Sequence, residues 1–202
     1  MASAGVVHRP APAASHRLAD GGAGLLALVA ALVLPLAFSP EAYHSFWAPK
    51  AAVCLLLVGP GLVAVAHLWR TGVGGARPAA LFLVAAAVSA LLSDNVVAAV
   101  IGSPNWGMGV VFVAVLVGAW ALGAAAGPER RHQIVLALVA GAAVNAAVAW
   151  LQARGLVPPP LESPGRSMGL AGNAVHAGAL FAGGLWLCGE LARRARRWVG
   201  WL

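Results

Sequence analysis

The sequence predicts an all-α fold: a polytopic membrane helix bundle of about six transmembrane helices with a cytoplasmic N-terminus. Three observations predict it. Hydrophobic residues make up 61% of the chain and charged residues 9%, whereas a soluble domain carries about a quarter charged residues. The apolar residues fall into runs near 21–38, 46–69, 79–92, 108–126, 134–152 and 174–191, most of them close to the ~20 residues that cross a bilayer core of about 30 Å. The basic residues sort by side once those runs are threaded. With the N-terminus inside, Arg9, Arg17, Arg70, Arg77, Arg130, Arg131, Arg193, Arg194, Arg196 and Arg197 are cytoplasmic, and Lys50, Arg154 and Arg166 lie outside. Orientation follows Lys and Arg and largely ignores Asp and Glu, so the flipped topology is rejected.

Residues 1–20, rich in Ala, Pro and His, read as a disordered cytoplasmic tail. The first run is an uncleaved span. It exceeds a typical signal h-region, and Leu36-Ala37-Phe38 makes a poor cleavage site. The second follows Pro49-Lys50 and contains Gly59-Pro60-Gly61, expected to kink or locally unwind it. Residues 70–78 form a short inside turn. The third run is interrupted by Ser93-Asp94-Asn95, so 96–101 is expected at the outer interface, with a re-entrant hairpin as the other arrangement. The fourth and fifth spans are joined inside by 127–133. The longest connection, 153–173, lies outside. The transmembrane domain thus covers 21–192. Residues 193–202 form a basic cytoplasmic end that opens a further apolar segment at Trp198.

Tryptophans fit the threading. Trp47, Trp106 and Trp150 fall at outer boundaries and Trp69 and Trp198 at inner ones, where amphipathic rings favour headgroup depth. Trp120 and Trp186 lie deeper, as packing or lipid-facing residues. Cys54 and Cys188 sit at different depths, which argues against a disulfide. The net charge of +7 resides in short connections without aromatic interleaving. It therefore reads as a topology determinant beside the lipid bilayer, not as a nucleic-acid surface. No cofactor or metal site is indicated.

No charged residue falls near the middle of a span, which counts against proton pumps and ion-coupled transporters. Asn145 is expected to make an interhelical hydrogen bond. His176, about a turn inside the outer boundary, has a structural or a site-lining role. The informative stretch runs from Pro164-Gly165-Arg166 through Gly172-Asn173 to His176. Asn173 can cap the following helix. The free amides of that helix start, with a bidentate contact from Arg166, would hold a phosphate.

These residues resemble a known family, the O-antigen ligase and O-antigen polymerase-like membrane glycosyltransferases. Trp47-Ala48-Pro49-Lys50 looks like the family's Pro-Lys entry to the second span. Gly102-Ser103-Pro104-Asn105-Trp106-Gly107 looks like its Gly-Ser…Gly turn, with Asn105-Trp106 where an arginine often stands. Gly165-Arg166 to Gly172-Asn173 looks like its Arg-x-x-Gly…Gly-Asn signature, with Ala174 replacing the usual proline. The resemblance implies a bacterial inner-membrane, multi-pass protein corresponding to the N-terminal half of such an enzyme. Family members transfer glycan from a polyprenyl-diphosphate carrier on the outer face. Arg166 would hold the carrier diphosphate, with Lys50, Asn173 and His176 as further candidates. The family's catalytic loop comes later in the chain, so no catalytic residue is named and no turnover is expected from this chain alone. A second chain supplying further helices is the partner implied.

Two other readings stay open at this point. One is a non-enzymatic membrane subunit or transporter component. The other is a rhomboid-type intramembrane protease using Ser103 and His176, which requires hydrogen-bond contact between them.

Overall fold

The computed structural model describes residues 14–39, 48–102, 109–162, 167–171 and 174–199. Among these the fold is all-α: α1 Ala14–Leu36, α2 Ala48–Arg70, α3 Ala76–Leu91, α4 Val96–Ile101, α5 Val110–Ala125, α6 Pro128–Ala153 and α7 Ala174–Val199, with a 3-10 turn at Pro159–Leu161. By length and composition α2 and α6 are long and apolar enough to cross a membrane; Gly21–Leu36, α3 and α5 are apolar but shorter.

Local chemistry sets the boundaries. Pro128 opens α6 at a position whose N–H would have no intrahelical partner. Asn95 caps α4, its Oδ1 accepting from the Ala98 N–H at 3.0 Å. The α2–α3 turn closes with Val73 N–H donating to Leu68 O at 3.0 Å and the Thr71 hydroxyl donating to His67 O at 3.0 Å.

Helix α6 begins at Pro128, inside the stretch 127–133 read as a connection, and three further features differ from expectation. Helix α1 begins at Ala14, inside the segment read as a disordered tail, because 14–20 contains neither Gly nor Pro to oppose helix formation. Helix α2 runs without local unwinding through Pro60. Pro60 forfeits one backbone hydrogen bond, but its neighbour Gly61 packs so tightly on α5 that the helix stays continuous. Helix α7 carries on to Val199, so the basic cluster at 193–197 forms its last turns.

The main packing pairs are α2 on α5 and α1 on α6, with α7 laid against α6. The α2–α5 contact is backbone on backbone: a Cβ on Gly61 would lie 2.5 Å from the Cα of Gly118. On α1 and α6, the Pro35 ring occupies the space a Cβ on Gly141 would need. The buried core is built mostly of alanines, among them Ala27, Ala30, Ala64, Ala76 and Ala121, around Leu57, Leu68 and Leu122. Large apolar side chains lie outside instead: Leu92 is 82% exposed, Leu56 77% and Trp186 71%. Small residues inside let the helix backbones approach closely, and the large apolar side chains form an extensive exposed apolar surface.

The bundle has two distinct ends. At one, Gly75 of the α2–α3 turn meets Trp120, Gly24 of α1 meets Arg130, and Glu190 and Leu191 of α7 line a groove with Arg131 and His132. Arg70, Arg77, Arg130, Arg131 and Arg193 belong to this end. At the other meet the end of α1, the start of α2, the last turns of α6 and the 167–171 loop. That end carries Lys50 and Arg154.

Candidate functional site

At the end that carries Lys50 and Arg154, three polar side chains converge on the short loop 167–171. Asn145 and Gln152 stand seven residues apart on α6, so they share one helix face. Asn145 is fully buried. Its Nδ2 donates to Pro35 O at 2.8 Å and to Gly141 O at 3.0 Å, and its Oδ1 accepts from the Leu170 N–H at 2.9 Å. Pro35 O belongs to the last turn of α1, where carbonyls have no intrahelical donor. A side-chain amide from another helix supplies one.

Gln152 repeats the arrangement two turns further on. Its Oε1 accepts from the N–H groups of Met168 at 3.0 Å and Gly169 at 2.8 Å. Its Nε2 donates to Leu161 O at 2.8 Å and Gly169 O at 3.3 Å. Lys50, one turn into α2, completes the clamp: its Nζ donates to Ala37 O at 2.8 Å and also to Leu170 O. Both backbone groups of Leu170 are therefore held by side chains from two different helices. Where water is scarce, backbone groups outside a helix must be satisfied by the protein itself. These three residues do that.

Gly169 makes the close fit possible. Its φ is +56°, and a Cβ there would lie 2.6 Å from the Asn145 carbonyl oxygen. Only glycine combines that dihedral with that approach at low cost. Nearby, the Arg154 guanidinium lies 5.2 Å from the centre of the exposed Trp150 ring, a cation–π pair at the same end of the bundle.

Of the residues singled out in the sequence, Lys50 is joined directly to the loop. The interhelical hydrogen bond expected of Asn145 is present, directed to Pro35, and its bond to Leu170 adds a second role. Arg166 and Asn173 lie outside the described residues, as do Ser103, Trp47 and Trp106. Arg166 directly precedes Ser167, where the described loop begins. His176 is exposed on the first turn of α7, and the hydrogen bonds that join Lys50, Asn145 and Gln152 to the loop do not include it. Cys54 and Cys188 are unlinked. Gln152 was missed by sequence reasoning. Its signal was available as a second amide seven residues after Asn145 on an otherwise apolar helix face.

None of the protein-family models, curated proteins or solved structures compared with the chain matches it.

Proposed function

We propose that the chain is a polytopic protein of the bacterial inner membrane, with six spans and a cytoplasmic N-terminus. We further propose that its outward end holds the diphosphate of a polyprenyl-linked glycan, as in the O-antigen ligase-like glycosyltransferases that its motifs resemble. In this reading α1, α2, α3, α5, α6 and α7 are the spans and α4 lies at the outer interface. The gathering of Arg70, Arg77, Arg130, Arg131 and Arg193 at one end, against Lys50 and Arg154 at the other, supports the threading. So does an alanine core beneath an apolar exterior.

The observation that carries the carrier-binding part is the clamp on 167–171. Arg166 adjoins a backbone segment held by Lys50, Asn145 and Gln152. A guanidinium binds phosphate in a bidentate fork, and that geometry is useful only when the backbone bearing it is fixed. In this reading Arg166 contacts the diphosphate. Lys50 acts mainly by positioning, because its ammonium hydrogens are directed to carbonyls of 37 and 170. The glycan chemistry itself requires a general base that these residues do not supply.

The test is binding of undecaprenyl diphosphate to the full chain in nanodiscs, with undecaprenyl monophosphate as competitor. Preference for the diphosphate, lost on Arg166→Ala, supports the reading. Equal binding by Arg166→Ala overturns it. Independently, Arg166→Cys should react with a membrane-impermeant maleimide from the periplasmic side. Labelling only from the cytosolic side would reverse the topology.

A further inference from the structure

The basic end holds a second feature that the carrier site does not use. A groove of about 410 Å³ opens between α5, α6 and α7, within the size range of small-molecule clefts, about 300–1,000 Å³. It exists because α7 packs along α6 but hardly touches α5. Gly123 of α5 contributes no side chain to close the gap. Its floor is apolar, formed by Ile134 and Val135 of α6 with Leu191 of α7 opposite.

The rim is cationic. Arg131 and His132 are both exposed at the mouth. The Arg131 Nη2 donates to Ala124 O, the carbonyl of the last turn of α5, which fixes the guanidinium beside the opening. Glu190 also lines the groove, but Arg193 binds both its oxygens, at 2.7 Å and 2.8 Å. That pair is close to neutral, so Arg131 sets the sign of the rim. Arg130 lies one residue away on the same turn, and the chain as a whole carries +7.

An apolar floor beneath a fixed cation matches an amphiphile with an anionic head. Basic pockets between membrane helices on the cytoplasmic side recognise acidic headgroups for this reason. We propose that the groove seats one anionic phospholipid, its phosphodiester at Arg131 and His132 and the upper part of an acyl chain over Ile134, Val135 and Leu191. The proposal rests on the membrane reading given above, which places this end at the inner leaflet. Free phosphate shares the headgroup chemistry but would leave the apolar floor uncovered.

The test is native mass spectrometry of the full chain released from neutral detergent micelles containing dioleoyl phosphatidylglycerol or dioleoyl phosphatidylcholine. One phosphatidylglycerol should be retained in preference to phosphatidylcholine. The double variant Arg131→Ala, His132→Ala should lower that retention by about five-fold or more. Arg77→Ala, at the same end but outside the groove, should not change it. Because Arg131 also holds a helix-end carbonyl, Val135→Trp provides a second variant: it fills the floor with the rim intact and should also lose the lipid. Three outcomes each overturn the proposal: equal retention of both lipids, equal loss with Arg77→Ala, or displacement by millimolar inorganic phosphate with Val135→Trp still binding. Micelles have no leaflets, so this measurement can fail while the Arg166→Cys labelling succeeds, and the reverse.

Discussion

The Asn145 side chain accepts the Leu170 N–H at 2.9 Å while donating to Pro35 O at 2.8 Å. One amide thereby fastens the end of α1 and the loop before α7 to the middle of α6. The bundle's core is mostly alanine with Leu57, Val65, Leu68 and Leu122, which packs closely but offers no direction. Asn145 supplies the direction: it is the one buried polar residue among those described, and each of its bonds joins segments distant in the chain or on its own helix.

Replacing Asn145 by Ala should therefore leave the Leu170 N–H and Pro35 O without partners. Orphaned buried groups cost about 1–3 kcal/mol, although polar contacts inside membranes can average about 0.6 kcal/mol. Reversible unfolding of the purified protein in mixed detergent micelles measures the effect. An unchanged midpoint would show that the amide does not hold these segments together.

Gln152→Leu keeps the side chain's bulk but removes four hydrogen bonds to the backbone of 161, 168 and 169. The amides of Met168 and Gly169 should exchange with solvent deuterium about five-fold faster or more, as expected for each net hydrogen bond of about 1 kcal/mol. Amides in the middle of α2 and α5 should keep their protection. Equal acceleration everywhere would mean the residue serves global stability instead of the loop.

Gly169→Ala tests the same loop from the backbone side. The left-handed conformation costs an alanine about 1–2 kcal/mol, and the added Cβ would press on the Asn145 carbonyl. Undecaprenyl diphosphate affinity should fall together with proteolytic resistance of the loop. Wild-type resistance and wild-type affinity in the variant would show that the loop tolerates another conformation.

The α2–α5 contact has a clean control within one helix. Gly61→Leu drives a side chain into Gly118 and should lower stability by about 1–3 kcal/mol through overpacking. Gly59→Ala meets nothing within 4 Å and should be neutral or stabilising by up to about 1 kcal/mol. Thermal melting in detergent compares the two. Similar melting temperatures would place the helix contact elsewhere.

Much of the helical layout could be read from the chain because its causes are local. The apolar runs and the break at Ser93-Asp94-Asn95 act within a few residues, whereas α6 begins at Pro128, inside the stretch read as a connection. The exceptions are also physical. Residues 1–20 read as a tail from their Ala, Pro and His content, yet α1 begins at Ala14, after the last proline of that segment. Pro60 is expected to kink or locally unwind α2; the helix is continuous there, and the packing partner of its neighbour Gly61, Gly118, lies far along the chain.

For the candidate site the division is sharper. Lys50 and Arg166 could be singled out from charge and motif, since charge is a property of a residue in any surroundings. The partners of Asn145, Gln152 and Lys50 could not, because they are backbone groups of Pro35, Ala37, Met168, Gly169 and Leu170. Every residue except proline presents the same N–H and C=O, so sequence carries no mark of which ones a distant amide will reach. Composition and the apolar runs were enough for the helical class. Which loop is held, and by which side chains, emerged only when helices remote in sequence packed together and brought unsatisfied backbone groups within reach of an amide or an ammonium.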